Sequence, residues 1–288
     1  MKNTQELIDL IHLKQIDARL FTGKSESVGS TSVFGGQVLA QALNAAYRTV
    51  SEERFCHSLH GYFILPGDLE KDIVYKVQLV RDGGSFTTRY VSAEQDGVSI
   101  FVLAASFQKE EPGYDFQQEM PEVPSPDSLL SWEDIYEQTK SVLPARFAHF
   151  LSLERPVIFK PTVVNNPFEK VNLEPIQHVW FQIKEMNPEI SVPEFQEILA
   201  YVSDYNILVT ALQPHASKAH FGNTQMASLD HAMWFHRKPE DFSGWFLYSI
   251  EVPSTSNARG LTTGKIFSQD GNLIASIAQE GLMRPKNP

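Results

Sequence analysis

Two stretches of the chain are apolar or small on nearly every side. The first runs from about Gly35 to Val50 through Val38, Leu39, Ala40, Ala42, Leu43, Ala45 and Ala46, with no charge before Arg48. The second runs from about Pro193 to Leu212, where Asp204 is the only charge after Glu197. A helix on a domain surface shows one polar face, so both stretches predict helices surrounded by protein. After each come strand patterns. In the first half these are His57–Leu65, Asp72–Arg81, Ser85–Glu94 and Val98–Gln108, with turns at Asp82-Gly83-Gly84 and Gln95-Asp96-Gly97. In the second they are Gln225–Arg237, Gly244–Val252, Arg259–Ser268 and Asn272–Met283, with a turn at Gln269-Asp270-Gly271.

The repeated Gln-Asp-Gly fixes the architecture. Its two copies lie 174 residues apart, each before a last strand with an apolar run. The two helices correspond in the same order, and His60-Gly61-Tyr62-Phe63 is similar to His231-Ala232-Met233-Trp234. An ordered match of helix, strand, hairpin and last strand predicts a tandem duplication: a buried helix followed by an antiparallel sheet, twice. The repeats are expected over residues 1–115 and 176–288, with a connecting segment over 116–175. That segment begins Pro- and Glu-rich, then predicts a short helix from Ser125-Pro126-Asp127 to Lys140. Arg155–Val164 and Gln177–Lys184 have strand character.

Composition narrows the function classes. With 288 residues, 42% apolar and 20% charged, the chain can build a large core and is not disordered throughout. A net charge of −11 disfavours duplex nucleic acid but leaves room for an anionic small ligand at a local basic patch. Cys56 is the single cysteine, so an internal disulfide is impossible and a cysteine-based metal cluster is not expected. The first residues carry Glu6 and Asp9, unlike a signal peptide, and no apolar run approaches the roughly 18 residues of a membrane span. The end is not a Ser-Lys-Leu address. A cytoplasmic setting is the expectation.

Several chemistries lack their motifs. There is no Gly-x-Ser-x-Gly elbow, no His-Glu-x-x-His helix and no Gly-x-Gly-x-x-Gly turn. Gly260-Leu-Thr-Thr-Gly264-Lys265 is one residue short of a phosphate loop and has Ile266 where a hydroxyl is required. No cofactor and no metal are called for.

Three polar residues sit oddly in their patterns. Asp204 is a carboxylate on an apolar helix; it either serves chemistry or holds a loop through backbone N–H groups. Gln279 shares a strand face with Leu273, Ala275 and Ile277. Its amide is either a buried polar group with assigned partners or a strand-end group reaching water. Ser228 opens the strand that continues through Asp230, His231 and Trp234, and alone is no more than a small polar residue. Asp230 and His231 look like an acid–base pair, but adjacent strand residues point to opposite faces and do not readily serve one site.

Longer motifs resemble a known family. Phe34-Gly35-Gly36-Gln37, Gly61-Tyr62-Phe63 with Pro66-Gly67-Asp68, and Arg81 through Arg89 are similar to the acyl-CoA thioesterase II family. So are Asp230-His231-Ala232-Met233-Trp234-Phe235-His236-Arg237, Ser256-Asn257-Ala258-Arg259-Gly260 and Gln279-Glu280-Gly281-Leu282-Met283-Arg284. The resemblance implies an α+β double hotdog, two antiparallel sheets each wrapped around a central helix. It implies hydrolysis of fatty acyl-CoA by a water held between Asp204, Ser228 and Gln279, with Ser228 standing where some members carry Thr. It also implies a homo-oligomer, dimer or tetramer. Two rivals remain open: a non-catalytic acyl-CoA-binding or regulatory hotdog protein, and a hotdog acyl-CoA hydratase. The hydratase requires Asp-x4-His on the helix, and the residue five after Asp204 is Val209.

Overall fold

The computed structural model describes residues 1–143, 145–165 and 169–286. The chain opens with helix α1 (Thr4–Ile11) and strands β1 (Lys14–Asp17) and β2 (Leu20–Gly23), then helix α2 (Gly35–Tyr47). Strands β3 (Arg54–Phe63), β4 (Ile73–Asp82), β5 (Phe86–Gln95) and β6 (Val98–Lys109) complete the first half. Helices α3 (Trp132–Thr139) and α4 (Ala145–Ser152) and strands β7 (Val157–Pro161) and β8 (Ile176–Ile183) lead to helices α5 (Val192–Ser203) and α6 (Ile207–Thr210). The chain then forms β9 (Thr224–Ser228), β10 (Asp230–Phe235), β11 (Phe246–Ser256), β12 (Arg259–Ser268) and β13 (Leu273–Pro285).

Every pairing is antiparallel, and the strands form one sheet in the order β1-β2-β4-β5-β6-β3-β10-β13-β12-β11-β8-β7, with β9 also on β13. The order reads the same outward from the β3–β10 seam: first strand, last strand, then the hairpin partner before it. That is the duplication in three dimensions, and the fold is a double hotdog. At the seam His231 stands opposite Gly61 and Met233 opposite Leu59. An ideal Cβ on Gly61 would lie 2.4 Å from the Phe101 ring, so the position admits no side chain without moving that ring.

The two expected helices lie inside the curve of the sheet. In α2 every residue from Gly36 to Ala46 is buried, and in α5 every residue from Phe195 to Ser203. They run antiparallel against each other: Gly36 meets the Tyr201 end of α5, while Tyr47 bonds Gln196 near its start. The buried amides of α2 have partners. Gln41 donates to the Leu10 carbonyl at 2.7 Å and accepts from the Tyr75 hydroxyl at 2.7 Å, tying α2 to the first segment and to β4. Those first residues, whose fold the sequence patterns did not reveal, place Leu7, Ile11, Leu13 and Phe21 over the helix.

The second helix departs from expectation. The apolar span Pro193–Leu212 predicts one continuous helix, but α5 ends at Ser203 and α6 starts at Ile207. Asn206 between them has φ +66°, a left-handed conformation that Asn tolerates better than most residues. Asp204 therefore caps a helix end instead of standing mid-helix. Among the described residues no helix is long and apolar enough to cross a membrane.

A second acid lies between the helices. Glu197 is 2% exposed, and both its carboxylate oxygens accept from the Asn44 amide, at 3.1 and 3.2 Å. Burial raises its pKa to about 8. A folded-state pKa above the unfolded one means stability present at low pH and lost as pH rises toward 8. Glu197→Gln keeps the shape and removes the charge. Its melting temperature is expected to match wild type near pH 4 and exceed it increasingly up to about pH 8; equal differences at both pH values would disprove the assignment.

Candidate active site

The end of α5, the start of α2, the β9–β10 junction and β13 converge on one point. A carboxylate oxygen of Asp204 accepts from the Gly36 backbone N–H at 2.9 Å. Gly36 lies in the first turn of α2, where free N–H groups and the helix dipole favour an anion. The close approach requires glycines. An ideal Cβ on Gly35 would lie 2.8 Å from the Asp204 carboxylate, and one on Gly36 would lie 2.4 Å from the Tyr201 carbonyl.

The electrostatics of Asp204 follow from its place. Burial raises its pKa to about 7, partly opposed by the Gly36 N–H and the Gln279 amide. The residue as a whole is half-buried, but protein encloses its carboxylate, and this loss of solvation is what raises the pKa. Such a carboxylate exists in both protonation states near neutral pH.

Gln279 is fully buried, as are its strand-face neighbours Ala275 and Ile277 to within 2%. The strand continues to Pro285, so the amide does not reach water at a strand end. It donates to the Ser228 hydroxyl at 2.8 Å, while its carbonyl oxygen lies 2.5 Å from Nδ1 of His231. The other imidazole nitrogen lies 2.9 Å from the Ser203 hydroxyl. Burial lowers the His231 pKa to about 4, so the ring is neutral at physiological pH.

A bulge brings these side chains together. Ser228 was expected to open one long strand; it instead ends β9. Between the pairs Ser228–Gly281 and Ala232–Ala278, three residues of one strand face two of the other. The extra residue shifts the alternation, so Ser228 and His231, three apart in sequence, both meet Gln279. Asp230 points elsewhere and accepts from the Glu280 backbone N–H at 2.7 Å, pinning the bulge. Alternation correctly separates Asp230 from His231, but setting both aside missed His231. A histidine flanking the apolar Ala232-Met233-Trp234-Phe235 stretch was the available signal.

The phosphate-loop look-alike is ordinary strand. Gly264 stands in β12, where a Cβ would lie 2.5 Å from the Tyr248 ring, and the Tyr248 hydroxyl donates to the Ser203 carbonyl at 2.8 Å. A surface cleft of about 640 Å³ lies at the far end of β3 and β10, lined by Cys56, Gln196, Phe235 and Arg237 among others, and includes none of Asp204, Ser228 or Gln279.

Family models match two parts of the chain: an acyl-CoA thioesterase N-terminal domain over residues 23–108 and an acyl-CoA thioesterase model over residues 148–282. Acyl-CoA thioesterase 2 of Haemophilus influenzae is 39% identical, with 96% of each chain covered. The chain belongs to the acyl-CoA thioesterase II family. Acyl-coenzyme A thioesterase 8 of Homo sapiens is 37% identical over 96% of this chain and 88% of the human protein. The crystal structure of an acyl-CoA thioesterase II from Mycobacterium marinum superposes with a TM-score of 0.78 at 35% identity, covering 98% of both chains. The enzyme is thus an acyl-CoA thioesterase, a thioester hydrolase, which decides against the binding-module and hydratase readings.

Proposed function

We propose that the enzyme hydrolyses fatty acyl-CoA to free fatty acid and CoA by direct attack of one water held by Asp204, Ser228 and Gln279. The observation that carries this is the convergence of a carboxylate, an amide and a hydroxyl from separate elements on one point. Asp204 takes the proton as the water attacks the thioester carbon. Ser228 and Gln279 orient the water. Thiolate is a good leaving group, so no strong acid is required opposite the base. The Gly36 N–H holds the Asp204 carboxylate in place. The apolar chain would lie between sheet and central helix. The same reading takes residues 1–115 and 176–288 as the two repeats, joined by 116–175, in a homo-oligomeric cytoplasmic enzyme.

The hydroxyl at position 228 gives the test. Ser228→Thr keeps the oxygen and is expected to retain most of kcat/KM. Ser228→Ala removes a hydrogen bond worth roughly 0.5–1.5 kcal/mol, so about two- to twelvefold in rate, and more in a poorly solvated site. Both variants are assayed on one acyl-CoA beside their melting temperatures. A fully active Ala variant with an impaired Thr variant would show a serine chosen for size alone.

A further inference from the structure

Gln279 is symmetric in outline, and reversing its amide would exchange donor for acceptor at the reacting water. Its orientation therefore has to be fixed from behind. Ser228 and Asp204 lie on one side of the amide, and an ionised Asp204 can only accept, so the NH2 must face that side. The carbonyl oxygen then faces His231, where it needs a donor. His231, Ser203 and Gln279 are each 0% exposed, so no bulk water can supply one.

We propose that His231, carrying its proton on Nδ1 and accepting at Nε2 from the Ser203 hydroxyl, is a positioning residue that locks the Gln279 amide with its NH2 toward Ser228 and Asp204. The distances are 2.5 Å from Nδ1 to Gln279 and 2.9 Å from Nε2 to Ser203. Ser203 has a single hydroxyl proton and a second acceptor within reach, the Ala200 carbonyl at 2.8 Å. A neutral ring that donates at Nδ1 must accept at Nε2, so the proton points to the imidazole. The Tyr248 hydroxyl bonds the Ser203 carbonyl from the other side and fixes the helix end on which Ser203 stands. The chain Ser203–His231–Gln279–Ser228 thus has one direction, and each link sets the next. His231 neither touches the acyl group in this scheme nor transfers a proton.

This inference rests on the proposed water site and is tested apart from it. His231→Leu removes the donor and frees the amide to reverse; His231→Asn restores a donor near the place of Nδ1. The expected loss for His231→Leu is on the order of 10²-fold in kcat with little change in KM, because only orientation at the reacting atoms is lost. His231→Asn should recover most of it. In a Gln279→Ala background, His231→Leu should cost nothing further. Nitrogen NMR of the wild-type enzyme labelled at histidine should show the Nδ1–H tautomer for His231. A Nε2–H tautomer, equal activity losses in the Leu and Asn variants, or a full His231→Leu effect without Gln279 would each overturn the proposal. If Gln279→Ala itself kept wild-type activity, the water site would fall instead.

Discussion

Asp204→Asn is expected to lower kcat by on the order of 10²- to 10⁴-fold while leaving the chain folded. Asn keeps the shape and an oxygen for the Gly36 N–H, but cannot take a proton from water. The same substitution should change stability in the opposite sense. The folded-state pKa of Asp204, about 7, lies above the usual carboxylate value. Its contribution to stability is therefore present at low pH and lost as pH rises toward 7. The melting temperature of Asp204→Asn relative to wild type should increase between pH 4 and pH 8. Wild-type kcat/KM should in turn rise with pH through about 7, as the base ionises. Activity within a few-fold of wild type would make Asp204 a structural cap only.

Gly36→Ala should be nearly as damaging, for a different reason. Within an exposed helix Gly→Ala stabilises by roughly 0.5–1 kcal/mol. Here the new methyl would sit 2.4 Å from the Tyr201 carbonyl, which is backbone and cannot swing aside. Helices α2 and α5 must separate, at a cost of about 1–3 kcal/mol. The Gly36 N–H that holds Asp204 moves with them, and a misplacement of that size can reduce turnover by on the order of 10²-fold. Gly113→Ala is the control, because no atom lies within 4 Å of its ideal Cβ. Its stability should stay within about 0.5 kcal/mol of wild type. If Gly36→Ala proved as stable and active as Gly113→Ala, the close helix contact would carry no function.

The two central helices and the eight main strands were legible because burial on all sides removes polar residues, and antiparallel strands alternate around compact turns. The Gln-Asp-Gly pairs mark real hairpin ends, with Gly97 at φ +78° and Gly271 at φ +89°. Asp204 was visible as a lone charge on an apolar helix, and Gln279 as an amide on an apolar strand face; the structure brings both to one place. Ser228 carried only a weak signal, a small polar residue opening a strand, and drew its role from the family resemblance. The break at Asn206 has no Gly or Pro to mark it, and its one signal, the polar Ser203, Asp204 and Asn206 interrupting the apolar run, is easily passed over when Asp204 is taken as a lone charge on a continuous helix. His231 was missed because strict alternation assumes an unbulged strand, and one extra residue between Ser228 and Ala232 changes which side chains share a face. The first strands were hidden for a related reason: β1 is exposed along its whole length, so it has no apolar pattern to read.

In the proposed mechanism water attacks the thioester directly, without an acyl group resting on the protein. Rapid-quench mass spectrometry through the first turnover measures this, with CoA and fatty acid followed in the same samples. The two products should appear together while the protein mass remains that of the unmodified chain. A burst of CoA ahead of fatty acid, with an acyl adduct on Ser228 or Asp204, would contradict it.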